Sequence, residues 1–185
     1  MAQLIMWNMM TLDGYFEGPD HDISWLEASW GEELEAFSIE QGEAAGALLF
    51  GRATYELMAS HWPSAEGTIA DFMNALPKIV ASKTLKKAEW NNTRLVGGDV
   101  AGSVAELKRE FTKDIFLFGS ANLAADLAAH NLIDEIRIGV NPVVLGEGTP
   151  LFKNWPKRQK LEMIESRQLK TGVAILFYRP QNSTS

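Results

Sequence analysis

Residues 114–123 read Asp114-Ile115-Phe116-Leu117-Phe118-Gly119-Ser120-Ala121-Asn122-Leu123, and this stretch decides the fold. Four apolar residues of strand length, Ile115–Phe118, stop at a glycine. Nothing polar alternates with them, which is the pattern of a strand covered on both faces. Beyond Gly119 the residues are small. Ser120–His130 then sets Leu123, Ala124, Leu127 and Ala128 on one helical face, and His130 and Asn131 suit that helix's end. A buried strand that turns through glycine into a helix is half of a strand–helix–strand unit. The unpaired N–H groups of such a helix start point beyond the strand's carboxyl end, and the helix dipole there favours an anion.

The same grammar recurs outward along the chain. Strand-length apolar stretches lie at Leu4–Met10, Ala47–Phe50, Lys78–Ala81, Arg94–Val96, Ile136–Val140, Leu161–Ser166 and Val173–Tyr178. Helical patterns separate most of them. Trp30–Gln41 carries Trp30, Leu34, Phe37 and Gln41 on one stripe. Ile69, Phe72, Met73 and Leu76 follow Thr68, which has the chemistry of an N-cap, and Asp71 suits the positive end. Ser103-Val104-Ala105-Glu106 reads as a capping box before Leu107 and Phe111. The alternation predicts an α/β fold: three layers, α/β/α, around a mostly parallel mixed sheet of about eight strands. The last two strands leave no room for a helix, so they form a C-terminal antiparallel hairpin that turns at Leu169-Lys170-Thr171-Gly172. No linker or repeat divides the chain. Residues 1–180 are expected to be a single domain, with 181–185 as a disordered tail.

Composition narrows the function. The 185 residues include 17 Lys and Arg against 24 Asp and Glu, a net charge of −7. That sign argues against nucleic acid or anionic lipid as general partners. With no cysteine and only 3 histidines, thiolate zinc, iron–sulfur and histidine-rich metal sites are excluded, and no metal is expected. No apolar run approaches the ~20 residues of a membrane span. The N-terminus lacks a basic, cleavable leader. A cytoplasmic location is the expectation.

A second strand-to-helix junction lies at Leu48-Leu49-Phe50-Gly51-Arg52-Ala53-Thr54-Tyr55-Glu56. Arg52 brings a planar fork suited to phosphate, and Thr54 a hydroxyl. The plainer reading is a glycine turn, a solvated arginine and a threonine capping its own helix. Neither junction is a G-x-G-x-x-G fingerprint or a G-x-x-x-x-G-K-[ST] loop. Ser82 and Lys83 close the strand Lys78–Ala81. Together with Arg52 they would surround an extra phosphate such as the 2′-phosphate of NADP.

In order and spacing these segments resemble the dihydrofolate reductase-like superfamily, in particular the RibD C-terminal domain family. The resemblance rests on Met10-Thr11-Leu12-Asp13-Gly14, Phe50-Gly51-Arg52-Ala53-Thr54-Tyr55-Glu56 and Val80-Ala81-Ser82-Lys83-Thr84-Leu85. It extends through Asp114–Ser120 and Asn141-Pro142-Val143-Val144-Leu145-Gly146-Glu147-Gly148-Thr149-Pro150-Leu151-Phe152. It implies an NADPH-dependent reductase that is often a homodimer and acts on a small-molecule substrate. By similarity, Arg52 and Thr54 contact the cofactor's phosphates, and Ser82, with Lys83 beside it, approaches the 2′-phosphate. Gly119, Ser120, Ala121, Asn122 and Leu123 wrap the pyrophosphate. The nicotinamide lies near Met9–Asp13, and the Gly119–Ser120 peptide is cis.

The resemblance also frames the reaction. Hydride goes to a heterocycle, as in the 5-amino-6-(5-phosphoribosylamino)uracil reductase of riboflavin biosynthesis. Dihydrofolate or pterin reduction, and a catalytically silent NADP-binding protein, are the alternatives. Asp13 is the first candidate for a polar catalytic role, the other reading being a turn residue before Gly14. Glu33 and Glu35 fall where folate reductases place an acid, and Glu35 is taken with Asp13 as the catalytic pair; an amphipathic, Glu-rich helix explains both equally. His21, Trp25, Trp30, His61 and Trp62 flank the proposed cleft, as stacking groups or as core.

Overall fold

The structure, a computed structural model, describes residues 1–181. Its strands are β1 (Leu4–Thr11), β2 (Tyr15–Glu17), β3 (Ala45–Gly51), β4 (Lys78–Ala81), β5 (Thr93–Val96), β6 (Asp114–Phe118), β7 (Glu135–Asn141), β8 (Thr149–Pro150), β9 (Lys160–Gln168) and β10 (Ala174–Gln181). The α-helices are α1 (Glu32–Ala44), α2 (Arg52–His61), α3 (Thr68–Ala75), α4 (Val100–Glu110) and α5 (Ala121–Ala129). Eight strands form one sheet in the order β5-β4-β3-β6-β1-β7-β10-β9. The pairs from β5 to β7 are all parallel. β10 runs antiparallel to β7 and β9. The α/β sandwich with a C-terminal hairpin is therefore as the sequence reading has it, and Leu169 and Gly172 do close the turn.

Alternation along the central strands sends side chains to two cores. Leu4, Met6, Leu49, Ile115 and Leu117 pack with Val104 and Leu107 of α4 and Leu127 of α5. Ile5, Trp7, Phe50 and Phe116 pack on the other face with Leu34 and Phe37 of α1, Tyr55 of α2 and Met73 of α3. Both faces of the parallel strands are thus covered, which is why those strands read as continuous apolar runs. β3 leaves through α2 toward β4, and its neighbour β6 leaves through α5 toward β7, on the opposite side of the sheet. Adjacent strands whose connections depart in opposite directions open a crevice at their carboxyl ends. No described helix is long and apolar enough to cross a membrane.

Several local expectations are corrected. Gln181 pairs with Lys160 as the last residue of β10, so the predicted tail loses its first residue; 182–185 lie outside the described residues. α4 starts a turn before the expected capping box. Asp99, just after a Gly97-Gly98 turn, accepts from the Gly102 amide at 2.9 Å, and Ser103 uses its hydroxyl on the Asp99 carbonyl inside the helix. Thr68 is the first residue of α3 and caps nothing; Gly67 precedes it. Trp30 stands before α1, half exposed, instead of joining its buried stripe. A small second sheet, β2 with β8, is too short to show a periodic signal.

Candidate functional site

The two glycine junctions lie side by side and bond to each other. The Gly51 amide donates to Ser120 Oγ at 2.9 Å, and Ser120 Oγ lies 2.8 Å from Thr54 Oγ1. The Gly119 amide donates to Asn8 Oδ1 at 2.6 Å, which brings the middle of β1 into the same cluster. Neither α2 nor α5 has a side-chain cap, so the first-turn amides of both helices keep their donors for something else. Both starts line one cavity of about 790 Å³, together with Asn8, Ala81 and Lys153.

Gly119 has a left-handed φ of +57°. A Cβ there would sit 2.6 Å from Thr54 Oγ1 and 2.9 Å from its Cγ2, so no side chain fits. Ser120 follows at φ +59°. The chain turns through these two left-handed residues and not through a cis peptide. No cis bond occurs among the described residues, which corrects that expectation.

Arg52, Thr54, Gly119, Ser120, Ala121, Asn122 and Leu123 all line this cavity. Arg52 is oriented before any ligand arrives. Its Nε donates to Glu56 at 2.7 Å and its Nη1 to Thr84 Oγ1 at 2.8 Å. Ser82 and Lys83 do not line the cavity, although Ala81 does. Ser82 Oγ instead accepts from the amides of Thr84 and Leu85, building the turn that presents Thr84 to Arg52. Lys83 is exposed.

The two candidate acids are placed elsewhere. Asp13 accepts from Thr11 Oγ1 at 2.6 Å and from the amides of Leu145 and Gly146. These donors, the Thr11 hydroxyl foremost, hold its carboxyl below the usual carboxylate range. The residue clamps the 145–146 loop against the end of β1 and is absent from the cavity wall. Glu35 is exposed, one turn before Ser38, the first α1 residue to face a cavity. Its neighbour Glu33 accepts from the Lys170 amide at 2.6 Å and ties α1 to the hairpin turn.

The structure also sets His21, named from sequence only as a flanking ring, beside Glu17, which the sequence reading did not single out. Glu17 and His21 both line the cavity, with His21 Nδ1 2.9 Å from Glu17 Oε2. The Glu17 hydrogen bond, then its charge, raises the imidazole above its ordinary 6.5. Pro19–His21 form only one short 3-10 turn, broken at Asp20 with φ +54°, so no α-helical face sets this i, i+4 pair. Left-handed Asp20 and His21 make the contact instead. Lys153 follows the Pro150-Leu151-Phe152 motif, whose loop touches α5 through Asn154 Nδ2 and Asn122 Oδ1 at 3.2 Å.

A second cavity, about 470 Å³, opens beside the first and shares Trp7, Met9 and Phe118 with it. Of the flanking aromatics, Trp30, His61 and Trp62 line this second space, and His21 the first. Trp25 is buried and lines neither, so core packing is its role.

This architecture is shared. Protein YyaP of Bacillus subtilis (strain 168) is 29% identical over 174 residues, covering 91% of this chain and 90% of YyaP. A Shewanella sp. PV-4 protein assigned to riboflavin biosynthesis superposes with a TM-score of 0.78 at 21% identity, covering 98% of this chain and 100% of that one. The diaminohydroxyphosphoribosylaminopyrimidine deaminase/5-amino-6-(5-phosphoribosylamino)uracil reductase of Thermotoga maritima gives 0.71 at 13% identity, over 97% of this chain and 57% of its own. Dihydrofolate reductase from Enterococcus faecalis, complexed with NADP(H), gives 0.66 at 10% identity, over 97% of each chain. These structural likenesses establish a dihydrofolate reductase-like fold. The family model for the RibD C-terminal domain matches residues 2–175, and the chain belongs to that family.

Proposed function

We propose that the protein is an NADPH-dependent reductase of a small ring compound. One observation carries this reading: two uncapped helix starts, joined through Gly51, Ser120, Thr54 and Gly119, face a single cavity at the carboxyl ends of neighbouring strands. The residues present fit a dinucleotide. Glycine at 119 lets Thr54 close against the turn, and the uncapped first-turn amides of α5 offer donors to a diphosphate. Lys153 adds a cation at the same wall, in a chain whose net charge is −7. Arg52, steadied by Glu56 and Thr84, is the group for a 2′-phosphate, with Ser82 shaping the turn beneath it. When bound, NADPH supplies the hydride of such a reduction.

Two predictions test the reading. Arg52→Ala is expected to weaken NADPH roughly 10–100-fold, the equivalent of ~1.5–3 kcal/mol for a charge-assisted phosphate contact. NADH affinity changes little. Calorimetric titration of both cofactors reads this difference directly, and equal losses would remove Arg52 from the 2′-phosphate.

The His21–Glu17 pair is the proton source in this reading. Glu17 holds Nδ1, so Nε2 is the nitrogen that carries a transferable proton. Because the pairing raises its pKa, His21 stays protonated somewhat above pH 6.5, and turnover should fall as pH rises through that raised value. His21→Gln is expected to lower turnover about 10²-fold and to flatten this alkaline limb. An unchanged limb in the variant would assign the proton to another group.

The placement of Asp13 and Glu35 away from the cavity favours a second reading, an NADP-binding protein without turnover. NADPH binding without loss of its near-ultraviolet absorbance, across aminouracil phosphates, dihydrofolate and dihydropterins, would decide for it.

A further inference from the structure

The second cavity lies between α1, α2, α3 and the sheet, and its wall contains no Lys, Arg, Asp or Glu. Aromatic and aliphatic side chains dominate it, among them Trp7, Trp30, Phe72, Met73, Phe116 and Phe118. The His61 ring stands edge-on to Trp62 at 4.9 Å with no hydrogen bond among the described residues, and the other polar groups are mostly committed already. Ser38 Oγ donates to the Leu34 carbonyl at 2.8 Å, and Ser60 Oγ to the Leu57 carbonyl at 2.7 Å. Trp62 Nε1 donates to the Met58 sulfur at 3.1 Å. Gln41 is different. It is buried, and its Oε1 accepts from Arg137, which is itself paired with Glu135 and packed against the rings of Phe116 and Phe177. That bond orients the carboxamide and leaves Nε2 with no hydrogen-bond partner among the described residues.

An ionised phosphate moved into such a wall would lose its hydration and meet no Lys or Arg, only the single His61 imidazole. The cations and free helix starts of this cleft are in the first cavity, where the cofactor requires them. A pterin-like ring that needs a carboxylate partner finds none here either. We infer that the second cavity takes an uncharged, flat, largely apolar ring compound whose carbonyl oxygen accepts from the Gln41 amide, and that it rejects substrates carrying a sugar phosphate. The occupant's role as substrate rests on the reductase reading; the cavity's choice of ligand does not.

Nile red, a neutral flat dye that brightens in apolar surroundings, tests this on the full chain. Saturable binding is expected, with displacement by menadione, a neutral quinone, and not by uridine 5′-monophosphate. Ile69→Trp and Ser38→Phe each fill the cavity from a different helix, and each should weaken the dye by roughly tenfold or more. Thermal melts confirm that at least one of the two is folded. No saturable binding, equal displacement by the nucleotide, or undiminished binding in a folded filled variant would overturn the inference. Wild-type protein that binds the dye and menadione but not NADPH would leave this inference standing and remove the reductase reading.

Discussion

Gly119→Ala is expected to weaken NADPH binding about 100-fold. A Cβ at this position meets Thr54 Oγ1 at 2.6 Å, and that hydroxyl holds the shared Ser120 link between the two helix starts. Either the Thr54–Ser120–Gly51 chain breaks, or the 119–121 backbone moves away from the cavity. In both cases a diphosphate loses aligned amide donors, worth ~1.5–3 kcal/mol as charge-assisted bonds. The left-handed φ adds a separate cost of ~1–2 kcal/mol, which falls on folding stability. Calorimetry with NADPH and a thermal melt separate the two effects. Wild-type affinity in the variant would show that the amides beyond Gly119 do not hold the cofactor.

The largest effect on stability is expected at Lys78. Its side chain is fully buried, although it begins a central strand. Nζ donates to the carbonyls of Met73 and Asn74 at 2.9 Å and of Leu76 at 2.8 Å, and it lies 4.5 Å from the Trp90 ring centre. It thus caps the carboxyl end of α3, where a cation is favoured. Lys78→Met keeps most of the volume and takes the shared donor from three carbonyls, one buried and two partly buried. We expect a loss of ~3–5 kcal/mol, the range for removing one partner from a buried charged cluster. For a chain of this length that is roughly 6–20 °C in melting temperature. The pH dependence has a definite sign. Burial pulls the amine from 10.5 to about 8, so the folded chain releases this proton before the unfolded chain does. Between those values the unfolded chain holds more protons, and folding gains stability as pH rises. The gap between wild type and Lys78→Met should therefore widen from about pH 8 upward; a constant gap would contradict the shift.

The strands and the two glycine junctions that line the first cavity were largely legible in the sequence, and the acidic and imidazole groups of its wall were not. Ile115–Phe118 and Ala47–Phe50 announced buried strands because both faces are covered, and Gly51 and Gly119 announced their exits. Arg52 and Thr54 follow directly along the chain, so local order carried them to the cavity. Asp13 and Glu35 failed as cavity residues for a common reason. Each is the right residue type near the right strand end, but its surroundings are set by distant partners. Asp13 is engaged by Leu145 and Gly146, more than a hundred residues away. Glu35 lies a turn short of the stretch of α1 that faces the sheet cavity. His21 was read as a flanking ring, but its pairing with Glu17 was not, because that contact depends on two left-handed residues, which no periodic pattern reveals.

The sequence by itself determined the class of fold, the strands of the main sheet and the two glycine hinges. Apolar runs, helical stripes and glycine are local properties of the chain. Only the tertiary structure decided that the hinges face one another, that Asp13 clamps a loop, and that the neighbouring cavity has no charged wall. Those outcomes depend on β6 inserting between β3 and β1, strands far from it in sequence. Long-range pairing of that kind is chosen by the packing of the whole sheet and leaves no mark in any short window of residues.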